Sequence, residues 1–508
     1  MHFCQQLRMK MKNCVALRKT KEEIASVFAL SQREVSVTSA ASEERHYGRV
    51  RPKMETTVKW LWKKTATESF YEPFATCYEL TLVTRKPLLE EQFRCALSHF
   101  YRKVPNVRTC FAERDGEMWL REMPHEIVDF EVLPNDNSDE DIHSKLQCYD
   151  FNKETGPLWC VKLRPEPDSS PDGVFREGVQ GFPHMYSMYL GINHAITDGT
   201  SNSTICGFIV QLLDDVLAGK EINDEEQLGI YLSDEKTQRA LREQEALVNS
   251  DPELQSKLTK EYQSLLGRHS LVKTLFKEVG EEKARTLYLT RDLDEKDSAA
   301  LFKRCRAEGI TVNSAFTAIG NFAMADLLVK GGLEQDTYNI RCEHVVNGRR
   351  YWKCDTSKYL GCHITPLLTT VFETPRNFND ADFWNYAKPI NEELQRKIKS
   401  ATVLQMERIK TLVPKPSDLD PTFEFEYCIT NMGDLTKNVT EGGDHVQVVH
   451  VNRTASLDNV PFIWGNFIHS FRGRFINTLV YNTLYVDADM AEFFFEKSFD
   501  YLHASLKL

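Results

Sequence analysis

The sequence predicts an α/β protein built as two lobes. At 508 residues the chain is too long for one ordinary core, and two domains of about 200–250 residues each are the natural division. Apolar segments of strand length alternate with segments of helical periodicity in both halves. The stretch Tyr186–Leu217 (YSMYLGINHAITDGTSNSTICGFIVQLLDDVL) adds a strand, a tight turn and a helix in direct succession. An apolar fraction of 41% and an aromatic fraction of 11% are enough for sizeable cores.

That stretch organises the rest. The apolar run Tyr186–Ile192 breaks at Asn193-His194 and turns through Thr197-Asp198-Gly199-Thr200. Ile205, Phe208, Ile209, Leu212, Leu213 and Val216 then recur at helical spacing, and the helix is expected to be capped by Thr200 or Ser201. His194 therefore stands where a strand ends, with Asp198 four residues on and a glycine directly after it. A strand end projects a side chain into the cleft above its sheet, and Asp-Gly lets the backbone reverse sharply. His194 is the candidate catalytic residue.

In chain order, residues 1–55 mix basic and acidic residues with little hydrophobic periodicity and read as a disordered extension. The first lobe is expected over 56–218. It opens with a strand at Cys77–Val83 and a helix entered through Pro87-Leu88-Leu89-Glu90-Glu91, carried by Phe93 to Tyr101 and stopped at Pro105. A hairpin around Asp115-Gly116, a helix over Asp139–Tyr149 and a strand at Pro157–Leu163 follow. The loop Pro165–Gly181 is long for a compact domain, an insertion or a mobile segment. Residues 219–285 are highly charged, with Leu254, Leu258, Tyr262, Leu265 and Leu266 on one helical face, and read as a solvated crossover linker.

The second lobe is expected over 286–508. Its elements are a strand at Thr286–Thr290, a helix over Glu295–Arg306, a stop and N-cap at Gly309-Ile310-Thr311, and an apolar helix over Val312–Val329. Strands at Arg341–Val346 and Leu367–Phe372 flank a loop, and a helix over Ala381–Ile398 should kink or break at Pro389. Later strands are Phe423–Thr430, His445–Val451, and a pair Phe467–Phe475 and Thr478–Tyr485 turning at Ile476-Asn477. The last helix is Ala488–Leu506.

A net charge of −11 with no basic block argues against nucleic acid as partner. The thirteen cysteines are odd in number and hold no CxxC pair, so neither a disulfide framework nor a zinc site is indicated. No apolar run reaches the roughly 18 residues of a membrane span, and the N-terminus lacks the apolar core of a signal peptide. The expectation is a cytoplasmic protein in a reduced compartment. The sequons at Asn202, Asn438 and Asn452 are then chance, and His445 and His450 have no further ligands for a metal.

Six features in order carry a resemblance. They are Leu88–Thr109 ending FYRKVPNVRT; Asn193-His194-Ala195-Ile196-Thr197-Asp198-Gly199, matching HxxxDG; and the helix Gly309–Leu328. Asn347-Gly348-Arg349-Arg350 with Tyr359-Leu360-Gly361, Thr430-Asn431-Met432-Gly433, and Arg472-Gly473-Arg474 in a late strand complete them. Over residues 57–508 the chain resembles the chloramphenicol-acetyltransferase-like superfamily. That superfamily takes in alcohol O-acetyltransferases, plant-type BAHD acyltransferases, wax ester synthases and the condensation domains of peptide synthetases. Three departures stand out. Asn193 replaces the first His of condensation domains and wax synthases, DFGWG is reduced to Trp464-Gly465, and Cys362 replaces the Asn after Tyr-x-Gly.

The resemblance implies two similar lobes with a channel between them, acyl donor entering from one face and acceptor from the other. It implies that His194 is the general base of a direct transfer from acyl-CoA, above all acetyl-CoA, to an alcohol, without a covalent intermediate. The oxyanion would be met by the Gly199 N–H and by Thr430 or Asn431, with Asn193 a further substrate contact. Asp198 would pair with Arg349 and serve structure. Arg350, Lys353 and Arg472 are candidates for coenzyme A phosphates, with a solvated face as the plainer reading. No permanently bound cofactor and no metal are implied, and a complete site in one chain implies a monomer. Two alternatives stay open: a carrier-protein-dependent, amide-forming condensation enzyme, and a homologue that binds an acyl ligand without transfer.

Overall fold

The structure, a computed structural model, describes residues 58–507 except 168–178, 180, 267–269, 276–283, 378–381, 414–423 and 459–462. The extension 1–55 and most of the loop 165–181 lie outside the described residues. The compact unit begins at Trp60.

The chain runs β1 (Trp60–Lys63), α1 (Ala66–Tyr71), β2 (Ala75–Thr84), α2 (Glu90–Lys103), β3 (Thr109–Arg114), β4 (Glu117–Glu122), β5 (Phe130–Val132), α3 (Asp139–Gln147) and β6 (Trp159–Pro165). Then come β7 (His184–Asn193), a 3-10 turn (His194–Ile196), α4 (Gly199–Leu217), β8 (Ile230–Tyr231), α5 (Glu235–Ser250) and α6 (Pro252–Leu265). The second half holds β9 (Thr286–Asp292), α7 (Glu295–Glu308), α8 (Val312–Lys330), β10 (Thr337–His344), β11 (Tyr359–Leu360) and β12 (Leu368–Pro375). It continues through α9 (Phe383–Lys399), α10 (Thr402–Leu412), β13 (Tyr427–Asp434), α11 (Thr436–Val439), β14 (Val446–Ala455), β15 (Trp464–Phe471), β16 (Arg474–Asn482) and α12 (Ala488–Leu506).

Two large mixed sheets carry the architecture. The first has the order β14-β2-β7-β6-β5 and the second β12-β10-β13-β15-β16-β9. Helices α2 and α4 cover the first sheet, burying Phe93, Leu97 and Phe100 with Ile205, Ile209 and Val210 against Tyr78, Leu80 and Leu190. Helices α8 and α12 cover the second, burying Phe316, Ile319 and Phe322 with Phe494 and Phe499 against Ile340, Trp464 and Leu479. Helix α8 is long and apolar enough to cross a membrane by composition, yet most of it is buried in this second core. The two-lobed α/β class expected from the sequence is the class observed.

Several local expectations change. Asp198, not Thr200 or Ser201, caps α4, because its carboxylate accepts the Ser201 N–H and the helix already starts at Gly199. Helix α9 runs through Pro389 without a break. Ala387 and Ile390 on either side are both buried, so packing outweighs the lost hydrogen bond. The late hairpin turns at Arg472-Gly473, not at Ile476-Asn477, which lie inside β16. Both turn residues have positive φ (47° and 77°), which a two-residue turn between twisted strands requires. Segment 219–285 is more than a solvated linker: β8 pairs with β11, and Val248, Leu258 and Tyr262 form a small core with Ile409 of α10. Strand β14 comes from the later half of the chain yet pairs antiparallel with β2, so the first sheet draws on more than residues 56–218.

Candidate active site

The register of the first sheet fixes the centre. Ala75 pairs with Asn193, the last residue of β7, and His194 donates its N–H to the Phe74 carbonyl just beyond (3.0 Å). Asn193 then caps the 3-10 turn. Its Oδ1 accepts the Ala195 N–H (3.0 Å) while its Nδ2 donates to the Glu72 carbonyl (2.9 Å). Expected among the substrate contacts, Asn193 has both ends of its side chain spent on backbone. Asn106 Nδ2 holds the Ile196 carbonyl (3.1 Å), and Thr197 Oγ1 donates to Asn202 Oδ1 (2.6 Å). Asn202 Nδ2 in turn reaches Thr76 Oγ1 (3.0 Å). The turn that presents His194 is thus pinned from three sides.

The His194 side chain is 6% exposed. Its Nδ1 lies 2.9 Å from the Thr197 carbonyl. A carbonyl only accepts, so Nδ1 carries the proton and the lone pair sits on Nε2. Among the described residues no hydrogen-bond partner stands on Nε2. The ring stacks on Tyr71 (4.6 Å between centroids, 24° between planes) and meets the edge of Phe74 at 6.3 Å. Phe74 belongs to an apolar cluster with Ala455, the last residue of the first sheet's β14, Leu457 just beyond it, and Phe467 and Val480 of the second sheet. The histidine therefore sits where the two sheets meet. Burial, aided by the Arg453 guanidinium, holds the imidazole below its ordinary pKa, so the ring is neutral near pH 7. Cys362 Sγ lies 4.0 Å from Nδ1, but burial pushes its thiol well above the ordinary value, and a protonated thiol is a poor nucleophile.

Asp198 faces away from this chemistry. Its Oδ1 accepts the Ser201 N–H (2.9 Å), and its Oδ2 accepts Arg349 Nη1 (2.5 Å) and the His363 N–H (2.9 Å). Burial alone would raise its pKa; the Arg349 cation, then the neighbouring groups, pull it down to about 2. Arg349 Nη2 goes on to Ser201 Oγ (2.9 Å) and the Tyr359 carbonyl (3.1 Å). Asn347 Nδ2 donates to Thr200 Oγ1 (2.9 Å), and Ser201 Oγ donates to the Gly361 carbonyl (2.9 Å). The loop 347–363 is thereby stitched to the first turn of α4, with Asp198, Ser201 and Arg349 almost wholly buried and the Asn347–Thr200 bond at the exposed rim.

Gly199 stands at a close approach. A Cβ there would fall 2.5 Å from Met432 Sδ, so the end of β13 lies directly against the start of α4. Thr430 and Asn431, both half-buried, precede Met432 on the same strand end. Asn431 accepts the Gly433 N–H on its Oδ1 (2.8 Å).

The structure brings His194, Asp198, Gly199, Arg349 and Asn193 into one neighbourhood, and Thr430 and Asn431 approach it through Met432, the next residue of β13. Arg350, Lys353 and Arg472 are used elsewhere or left in solvent. Arg350 is exposed, and Lys353, 84% exposed, pairs with Glu243. Arg472 is tied to β14 through the Val448 carbonyl (2.7 Å) and Gln447 Oε1 (2.7 Å). Sequence reasoning missed Tyr71, Phe74 and Arg453. The signal available for Arg453 was a charge inside the apolar alternation VQVVHVNRTA, a pattern in which a buried cation needs an explanation. Among the described residues no three His, Cys, Asp or Glu gather as metal ligands.

No protein-family model matches the sequence, and no curated protein matches it significantly. Solved structures do share the fold. TRI3 trichothecene 15-O-acetyltransferase from Fusarium sporotrichioides aligns with TM-score 0.61 at 14% identity, covering 88% of this chain and 95% of that one. The epimerization domain from the third module of tyrocidine synthetase B aligns with TM-score 0.59 at 14% identity, covering 84% and 92%. The condensation domain from Monacolin K polyketide synthase MokA aligns with TM-score 0.58 at 12% identity, covering 89% and 97%. At such identities the likeness is one of fold.

Proposed function

We propose that the chain is an acyltransferase moving an acyl group from a thioester to a hydroxyl, with His194 as general base. The observation that carries this reading is the locked tautomer: Nδ1 is held by the Thr197 carbonyl, and Nε2 is left with its lone pair in a neutral imidazole. In the step, Nε2 takes the hydroxyl proton as the oxygen attacks the thioester carbonyl. The tetrahedral intermediate collapses, the C–S bond breaks, and the leaving thiolate takes the proton back from the imidazolium. Ester and free thiol are the products. The Gly199 N–H and the polar side chains of Thr430 and Asn431 are the donors proposed for the oxyanion.

Acetyl-CoA with an alcohol is the substrate pair we put first, supported by the fold shared with an O-acetyltransferase. The shared fold with a condensation domain supports a second reading, in which the acyl group arrives on a carrier protein. The test is release of free coenzyme A from acetyl-, medium- and long-chain acyl-CoA against a panel of alcohols and amines, with His194→Ala alongside. Acceptor-dependent release lost in the variant is the expected result. Release that is unchanged in His194→Ala would overturn the reading, and transfer only from a carrier-bound thioester would replace the donor.

A further inference from the structure

Arg453 is a buried cation whose own fold leaves part of it unanswered. It is 3% exposed, on β14 opposite Tyr78 of β2. The guanidinium lies over the rings of Phe467 (4.7 Å) and Tyr78 (5.7 Å), one from each sheet. Nε and Nη1 are buried and, among the described residues, have no hydrogen-bond partner. Nη2 comes within 3.5 Å of where a Cβ on Gly199 would be, so the group is aimed at the first turn of α4. Its charge reaches His194, whose pKa it lowers.

Arg349 in the same site is the contrast: its Nε is likewise buried without a partner, yet its charge is met. Its two terminal nitrogens find Asp198, Ser201 and Tyr359. Asp198 is committed to the Ser201 N–H, Arg349 and the His363 N–H, and among the described residues it receives no hydrogen bond from Arg453. A guanidinium out of water without a counter-ion is costly to keep, and a charge supplied by a ligand removes that cost. Two further features favour an anion there. The first amides of a helix have no intrahelical acceptor and carry partial positive charge. Guanidinium geometry suits a planar carboxylate, which it can bind through two parallel hydrogen bonds.

We propose that Arg453 anchors a carboxylate on the small molecule that meets His194, so that one of the two substrates is an acid. The carboxylate belongs to a hydroxy-acid acceptor or to a dicarboxylic acyl donor. This rests on the acyl-transfer reading of the site and narrows it from any alcohol to charged substrates.

The experiment reads binding apart from turnover, on the full chain. Calorimetry compares mandelate with mandelamide for the acceptor arm and malonyl-CoA with acetyl-CoA for the donor arm, in wild type and Arg453→Gln. The expected result is a preference of at least about ten-fold for the acid in one arm, abolished by Arg453→Gln. The arm that shows it identifies the source of the carboxylate. No preference in either arm, or one that Arg453→Gln leaves intact, overturns the proposal whether or not coenzyme A is released. A second variant guards against misfolding. Arg453→Met removes the charge while keeping bulk, and its ligand-free melting temperature is expected at or above wild type. A clear fall would make Arg453 a structural residue and overturn the assignment. Coenzyme A release by the wild type, measured separately, reports on the acyl-transfer reading itself.

Discussion

His194 follows directly on β7 of the first sheet, and His344 ends β10 of the second. Both are nearly buried, and both have pKa values pushed down by burial, that of His344 to about 3 with Lys397 adding to the effect. They differ in which nitrogens are occupied. His344 lies 3.0 Å from Thr370 Oγ1 through Nε2 and 3.4 Å from Asn313 Nδ2 through Nδ1. An amide nitrogen can only donate, so Nδ1 accepts and Nε2 holds the proton, the opposite tautomer to His194. Burial and a lowered pKa are therefore common to both rings, and only His194 has a lone pair left over. That remainder makes one ring a candidate base and the other a packed core residue.

The largest expected effect tests that contrast directly. His194→Ala should cut acceptor-dependent coenzyme A release by about 10²–10⁴-fold, whereas His344→Ala should keep turnover and lose stability by about 1–3 kcal/mol, since it leaves two polar partners unsatisfied. Equal losses of turnover in the two variants would break the comparison. Next, Asp198→Ala leaves Arg349 uncompensated and should cost about 3–5 kcal/mol in denaturant unfolding, with activity falling alongside. An inactive variant of wild-type stability would give Asp198 a chemical role instead.

The two groups also predict two pH profiles. A base must be neutral to act, so the His194 pKa lies at the acid limb of the rate profile; held below 6.5, it should keep activity to lower pH than an ordinary histidine would. Asp198 titrates at about 2 in the folded chain against an ordinary 3.8. Its contribution to stability is thus present above the ordinary value and lost as pH falls from about 4 to about 2. Melting curves across that window check the sign. The smallest effect belongs to Lys353→Ala, which should change stability by less than about 0.5 kcal/mol because its ion pair lies in water. A raised KM for acyl-CoA in that variant would restore the phosphate-contact reading.

Much of this was legible beforehand, for reasons that can be named. Residues 186–217 carry strand, turn and helix within one contiguous stretch, so His194 and the turn around it follow from local chemistry. Arg349 became visible through motif order. Tyr71, Phe74 and Arg453 did not, because cross-strand register brings them to the imidazole, and register between strands hundreds of residues apart leaves no local trace. The misplaced hairpin turn has a similar origin. In FRGRF the apolar and basic residues continue the strand pattern, and only the two positive φ values distinguish Arg472-Gly473. Strand β8 was hidden inside the segment 219–285, whose charge suggested solvent, and so was its pairing with β11.

Strand β14 has a consequence for the order of synthesis. Until residue 455 has left the ribosome, β2 presents a bare row of amide and carbonyl groups along one side of the first sheet. The nascent chain must keep that row from other chains while about 260 further residues are made after His194. Arg453 arrives on the same late strand, so the histidine is in place long before the charge that tunes it. A chain cut short after α10 would carry the His194 motif intact and still lack a finished site.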